Sequence, residues 1–128
     1  MRRLAAPVLA TAAVAAAVLC ARALGAPARG DAAQPSRVQV VAKEYSLGLS
    51  RLRLKAGTAI VELDNLGQDP HDLRLQRAGA GHVAGLGKTA PGSLADLTLH
   101  LAPGRYLLWC SIADHRSLGM RATLVVSR

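Results

Sequence analysis

The chain has 128 residues, 51% of them hydrophobic, with 16 basic and 8 acidic side chains and no phenylalanine. That length suits one domain, whose core must be built from Leu, Val and Ile, because Tyr45, Tyr106 and Trp109 are the only aromatics. The formal charge is +8, yet the arginines stand mostly singly and no basic run is interleaved with aromatics, which argues against nucleic-acid binding. A basic surface suits an acidic protein partner or an anionic membrane better.

Met1-Arg-Arg3 is a short positive segment, and Leu4–Leu19 is uncharged and mostly Ala, Val and Leu. Small residues and arginines follow as far as Arg29. This is the three-part form of a secretory signal peptide, expected over residues 1–28. Cleavage after Ala23, Gly25 or Ala28 would each satisfy the small-x-small rule. The apolar run is shorter than the roughly 20 residues that span a bilayer, so membrane association through an uncleaved N-terminal segment is the secondary expectation. Cys20 follows Leu19 rather than the small residue that lipid attachment favours. Residues 29–36 read as a flexible linker and 37–128 as the domain, exported to a periplasmic or extracellular compartment. Without the leader the single cysteine is Cys110. It has no partner for an internal disulfide, and a free thiol in an oxidising compartment calls for burial or a metal.

Taken in order, Arg37–Lys43 predicts a first strand around β-branched residues. In Tyr45–Lys55 the alternation of Leu47 and Leu49 with polar residues slips by one before Leu52 and Leu54, predicting a bend or bulge between two short strands. Thr58–Asp64 is a strand, Asn65–Pro70 a loop of turn formers, and His71–Gln76 a strand with Leu73 and Leu75 on the face of His71. Ala78–Ser93 is rich in Gly and Ala and reads as a long connection. Leu94–Leu101 alternates, with Leu97, Leu99 and Leu101 inward and Thr98 and His100 outward. After the turn at Pro103-Gly104, strands are expected at Arg105–Cys110 and Arg121–Val126. No helical period is evident. Short strands between turn signals indicate an all-β antiparallel sandwich.

Cys110, His115 and Met120 lie at even spacing in the loop between the last two strands. Thiolate, imidazole and thioether are most of the donor set of a blue-copper centre, which adds a second imidazole and lets one site hold both copper oxidation states. His71, at a loop–strand junction, is the candidate for the second imidazole. His82 and His100 are expected on the surface. A Cys110–His115 nucleophile pair would leave His71 and Met120 without a role, and no paired carboxylates suggest acid–base catalysis, so an enzyme is not expected.

Asn65-x-Gly67 before Pro70-His71-Asp72, Pro103-Gly-x-Tyr106-x3-Cys110, and Cys110-x4-His115-x4-Met120 together resemble the cupredoxins, the type 1 copper family, from Val38 to Val126. The ligand-loop spacing is similar to that of auracyanin and rusticyanin. The resemblance implies a Greek-key sandwich holding one type 1 copper at one end, with His71, Cys110, His115 and Met120 as ligands. It also implies that the Asp72 backbone N–H donates to the Cys110 sulfur, and that the Asp72 side chain ties its loop to the backbone near Ser111. Asp72 and Asp114 stand where many members have Asn and Gly, and each carboxylate is expected to favour cupric copper. Ile112 and Leu118 would rim His115, the usual electron exit of the family. The function expected is one-electron transfer by a monomer whose partner is another redox protein. Copper storage, delivery or sensing is the first alternative, and a metal-free secreted interaction module the second.

Overall fold

A computed structural model describes residues 33–128, so the leader expected at 1–28 and residues 29–32 of the expected linker lie outside the described residues. Nine strands follow: β1 (Ser36–Lys43), β2 (Ser46–Leu49), β3 (Arg53–Lys55), β4 (Gly57–Asn65), β5 (His71–Arg77), β6 (Val83–Thr89), β7 (Leu94–Leu101), β8 (Gly104–Trp109) and β9 (Arg121–Ser127). A four-residue helical turn, α1 (His115–Leu118), interrupts the loop between β8 and β9.

The strands form two sheets, in the orders β2-β1-β4-β7 and β3-β9-β8-β5-β6. Period-2 patterning decides which face each strand buries. Val38, Val40 and Ala42 of β1 and Ala59, Val61 and Leu63 of β4 face Leu73 and Leu75 of β5, Leu108 of β8 and Leu124 and Val126 of β9, in one cluster shared by both sheets. Each such side chain contributes about 1.5–3 kcal/mol through burial, and Leu and Val alone fill a core that has no Phe. Tyr106 keeps its ring inside and donates its hydroxyl to the Ala102 carbonyl at 2.9 Å, which satisfies the one polar atom it buries.

Two features differ from the sequence expectation, and the expected break between two short strands is given its cause. The sheets are mixed rather than purely antiparallel: β1 runs parallel to β4 from Ser36↔Ala59 to Ala42↔Asn65, and β3 runs parallel to β9. The slip near Ser50 is the place where the chain leaves one sheet for the other, since β2 pairs with β1 and β3 with β9. Leu52 lies in that crossing and is 67% exposed. The connection expected across Ala78–Ser93 contains β6, which pairs with β5 from Leu73↔Leu86 to Gln76↔Val83 and then shifts register before His71↔Thr89. Strand pairing here overrides the weak strand propensity of a Gly-rich segment.

Candidate metal centre

Sheet order explains why residues distant in sequence meet. β5, β8 and β9 are neighbours, and β8 is antiparallel to both. The start of β5, the end of β8 and the start of β9 therefore lie at one end of the sheet. Alternation then selects the inner face: Tyr106, Leu108 and Cys110 point inward in turn, as do His71, Leu73 and Leu75. His71 opens β5, Cys110 directly follows β8, Met120 directly precedes β9, and α1 carries His115 between them. His71, Cys110 and Met120 are each 0% exposed, and His115 is buried as well.

The ligand-capable atoms of His71, Cys110 and His115 all lie within 4.8 Å of one another. The Nδ1 atoms of His71 and His115 are 3.3 Å apart, and Nδ1 of His115 is 3.6 Å from the Cys110 sulfur. Ligand bonds of about 2.0–2.3 Å meeting at tetrahedral to trigonal angles separate donor atoms by about 3.3–3.8 Å. The two separations from His115 are thus those of donors around a shared ion, and two imidazoles with one thiol form a donor set suited to copper. The Met120 backbone is tied into the loop on both sides: its carbonyl accepts from the Cys110 N–H at 3.1 Å, and its N–H donates to the His115 carbonyl at 3.0 Å.

Gly119 makes the return of the loop possible. Its φ of 131° is in the region that favours glycine, and a Cβ there would sit 2.7 Å from the Tyr45 carbonyl oxygen. The Tyr45 ring packs beside His115, with ring centroids 5.1 Å apart. On the outer face, the guanidinium of Arg116 lies 4.5 Å above the Trp109 ring centroid, a cation–π contact.

Asp72 and Ser111 form a double link. The Ser111 N–H donates to one carboxylate oxygen of Asp72 and its hydroxyl to the other, each at 2.5 Å. Arg74 also pairs with Asp72 at 3.2 Å. A carboxylate, which only accepts, serves here because both Ser111 groups donate. Burial is the largest influence on the Asp72 carboxyl and pushes its pKa up, but the Ser111 hydroxyl and N–H, the Cys110 thiol and Arg74 together hold it below its ordinary value. Burial pushes the Cys110 thiol up, against the backbone N–H groups of Asp72 and Ile112, which act to lower it. A thiol raised in this way keeps its proton in the metal-free site and releases it to solvent when a metal ion binds the sulfur.

The loop before His71 is fixed by Asn65, the last residue of β4. Its amide donates to the carbonyls of Asp69 and Thr89 and its oxygen accepts from the Gly67 N–H, all at 2.9 Å. Glu44, in the turn between β1 and β2, was not singled out by the sequence. Its Oε1 lies 2.8 Å from Nε2 of His71 and accepts from the N–H groups of Gln68 and Asp69 at 3.0 and 2.9 Å. The Asp69 N–H does most to hold the Glu44 carboxyl down to about 2, against an upward push from burial, with the Glu44 N–H, His71 and the Gln68 N–H adding to it. A lone Glu beside a turn looks like any solvated acid; the only trace in the sequence is Gly67, where a side chain would overlap this carboxylate. His82 and His100 are exposed and outside the cluster, and Asp114 is exposed too. Leu118 is 50% exposed near His115, while Ile112 packs on the core.

No protein-family model matches the chain, and no curated protein sequence does. Solved structures do. Dithionite-reduced auracyanin from the photosynthetic bacterium Roseiflexus castenholzii is 16% identical with a TM-score of 0.61, over 73% of this chain and 98% of that one. Auracyanin B is 18% identical with a TM-score of 0.61, over 74% of this chain and 91% of that one. Rusticyanin from Thiobacillus ferrooxidans is 20% identical with a TM-score of 0.58, over 73% and 79%. At these identities the likeness establishes the fold. Residues 33–128 have the cupredoxin fold, and their buried His71–Cys110–His115 cluster fits a blue copper site.

Proposed function

We propose that this protein is an exported electron carrier that binds one type 1 copper through His71, Cys110, His115 and Met120. The observation that carries the reading is the convergence of two imidazole nitrogens and a thiol, buried at one end of the sandwich, at separations of 3.3 and 3.6 Å. When bound, copper supplies a one-electron couple between its cupric and cuprous states.

The chain's own residues keep that couple from demanding rearrangement. Burial of the donors excludes water from the site. The Asp72–Ser111 link fixes the strand end that bears Cys110 to the strand that bears His71. The Asn65 bonds and the Met120 backbone bonds fix the two loops. A frame held this way would keep the donor atoms in place through a change of oxidation state. Leu118 shares the α1 turn with His115 and is half-exposed, which supports docking of a redox partner at that end of the sandwich. Export rests on the leader sequence at 1–28, and no helix among the described residues is long and apolar enough to cross a membrane.

Voltammetry of the copper-loaded domain tests the reading. A reversible one-electron wave, with copper retained through repeated reduction, is expected. Release of copper on reduction would instead mark a protein that delivers copper.

A further inference from the structure

We propose that Glu44 is a positioning residue of the metal centre: its carboxylate holds His71 as an Nδ1 ligand from behind and places a negative charge one imidazole away from the copper, lowering the reduction potential. The inference builds on the copper reading above.

A carboxylate only accepts hydrogen bonds, so the 2.8 Å contact between Glu44 Oε1 and Nε2 of His71 assigns the ring proton to Nε2. That leaves a lone pair on Nδ1, the atom that faces His115 across 3.3 Å inside the cluster. The tautomer needed for ligation is therefore set before any metal arrives. The carboxylate is itself anchored. The same oxygen accepts from the backbone of Gln68 and Asp69, and the loop carrying those donors is pinned by Asn65. Gly67 leaves the space that the carboxylate fills. Glu44 thereby connects the β1–β2 turn of one sheet to the first residue of β5 in the other.

Among the described residues no Lys or Arg forms an ion pair with Glu44, and His71 is the ionisable group paired with it. Hydrogen bonding to a carboxylate makes an imidazole more basic. A more basic ligand and a nearby negative charge both favour cupric over cuprous copper.

Two variants separate the charge from the brace. Glu44→Gln keeps an oxygen that can accept the same three bonds and removes the charge. Glu44→Ala removes both. In the metal-free domain, nitrogen NMR is expected to find the His71 proton on Nε2 in the parent and in Glu44→Gln, and spread over both nitrogens in Glu44→Ala. Copper(II) binding is expected to weaken about 10- to 100-fold in Glu44→Ala. The copper-loaded Glu44→Gln domain is expected to show a higher potential than the parent. A parent domain with its proton on Nδ1, or Glu44→Ala with unchanged tautomer and affinity, overturns the positioning role. An unchanged potential in Glu44→Gln overturns the electrostatic role. A parent that binds no copper would defeat the copper reading itself, while the tautomer measurement still decides whether Glu44 sets His71. If Glu44→Ala does not fold, the parent tautomer and Glu44→Gln decide both points.

Discussion

At Cys110, burial and hydrogen bonding pull in opposite directions: burial raises the thiol pKa while the N–H groups of Asp72 and Ile112 favour the thiolate. Asp72 serves the site twice, through its backbone at the sulfur and its side chain at Ser111. Its carboxyl is held below the ordinary value. The folded state therefore binds fewer protons there than the unfolded chain does, and the contribution to stability is complete above about pH 4 and lost as pH falls below it. In Asp72→Ala, which removes both links to Ser111, the metal-free domain is expected to lose about 1–3 kcal/mol at neutral pH. Denaturant titration checks the loss, and the difference from the parent should shrink in acid. Asp114, by contrast, is exposed and its side chain caps nothing. Solvent and salt screen such a charge, so redox titration of Asp114→Asn should show a much smaller shift than Glu44→Gln.

At the scale of the elements, strands with clean alternation were legible: β1, β4, β7, β8 and β9 each combine inward Leu or Val with outward polar groups. The loop that brings Cys110 and His115 into the buried cluster was legible because a thiol, an imidazole and a thioether stand in it at close spacing. β6 was not, since Gly85 and Gly87 lower its strand propensity and only pairing with β5 makes it a strand. The α1 turn is too short to show a helical period. The role of Glu44 was hidden because its partners lie 24 to 27 residues away, and a contact of that kind leaves no local pattern. Gly119, in the same loop as Cys110 and His115, has a local cause in the structure. Gly119→Ala adds strain at a positive φ and a clash with the Tyr45 backbone. Strain of that kind is worth about 1–3 kcal/mol. Thermal unfolding should show the loss, accompanied by weaker copper binding because Met120 and His115 share the displaced loop.

Over the whole molecule, the fold places the donors at one end of the sandwich, and without the leader at 1–28 the chain keeps 13 basic against 8 acidic residues. An excess of positive charge accelerates encounter with negative partners, and salt weakens the effect. Electron transfer from the reduced copper domain to hexacyanoferrate(III), an anionic oxidant, is therefore expected to slow as ionic strength rises. Transfer to a cationic oxidant such as a cobalt(III) tris-phenanthroline complex should speed up. Equal behaviour with both reagents would show that the charge does not steer electron exchange.

The measurement that bears most directly on the copper centre is the visible absorption spectrum of the purified domain with added copper(II), taken beside Cys110→Ser. Three buried donors at 3.3 and 3.6 Å predict an intense blue thiolate-to-copper band in the parent, absent when the sulfur is replaced by oxygen. A parent domain that stays colourless with copper(II), or a band that survives in Cys110→Ser, would contradict a type 1 site built on this thiolate.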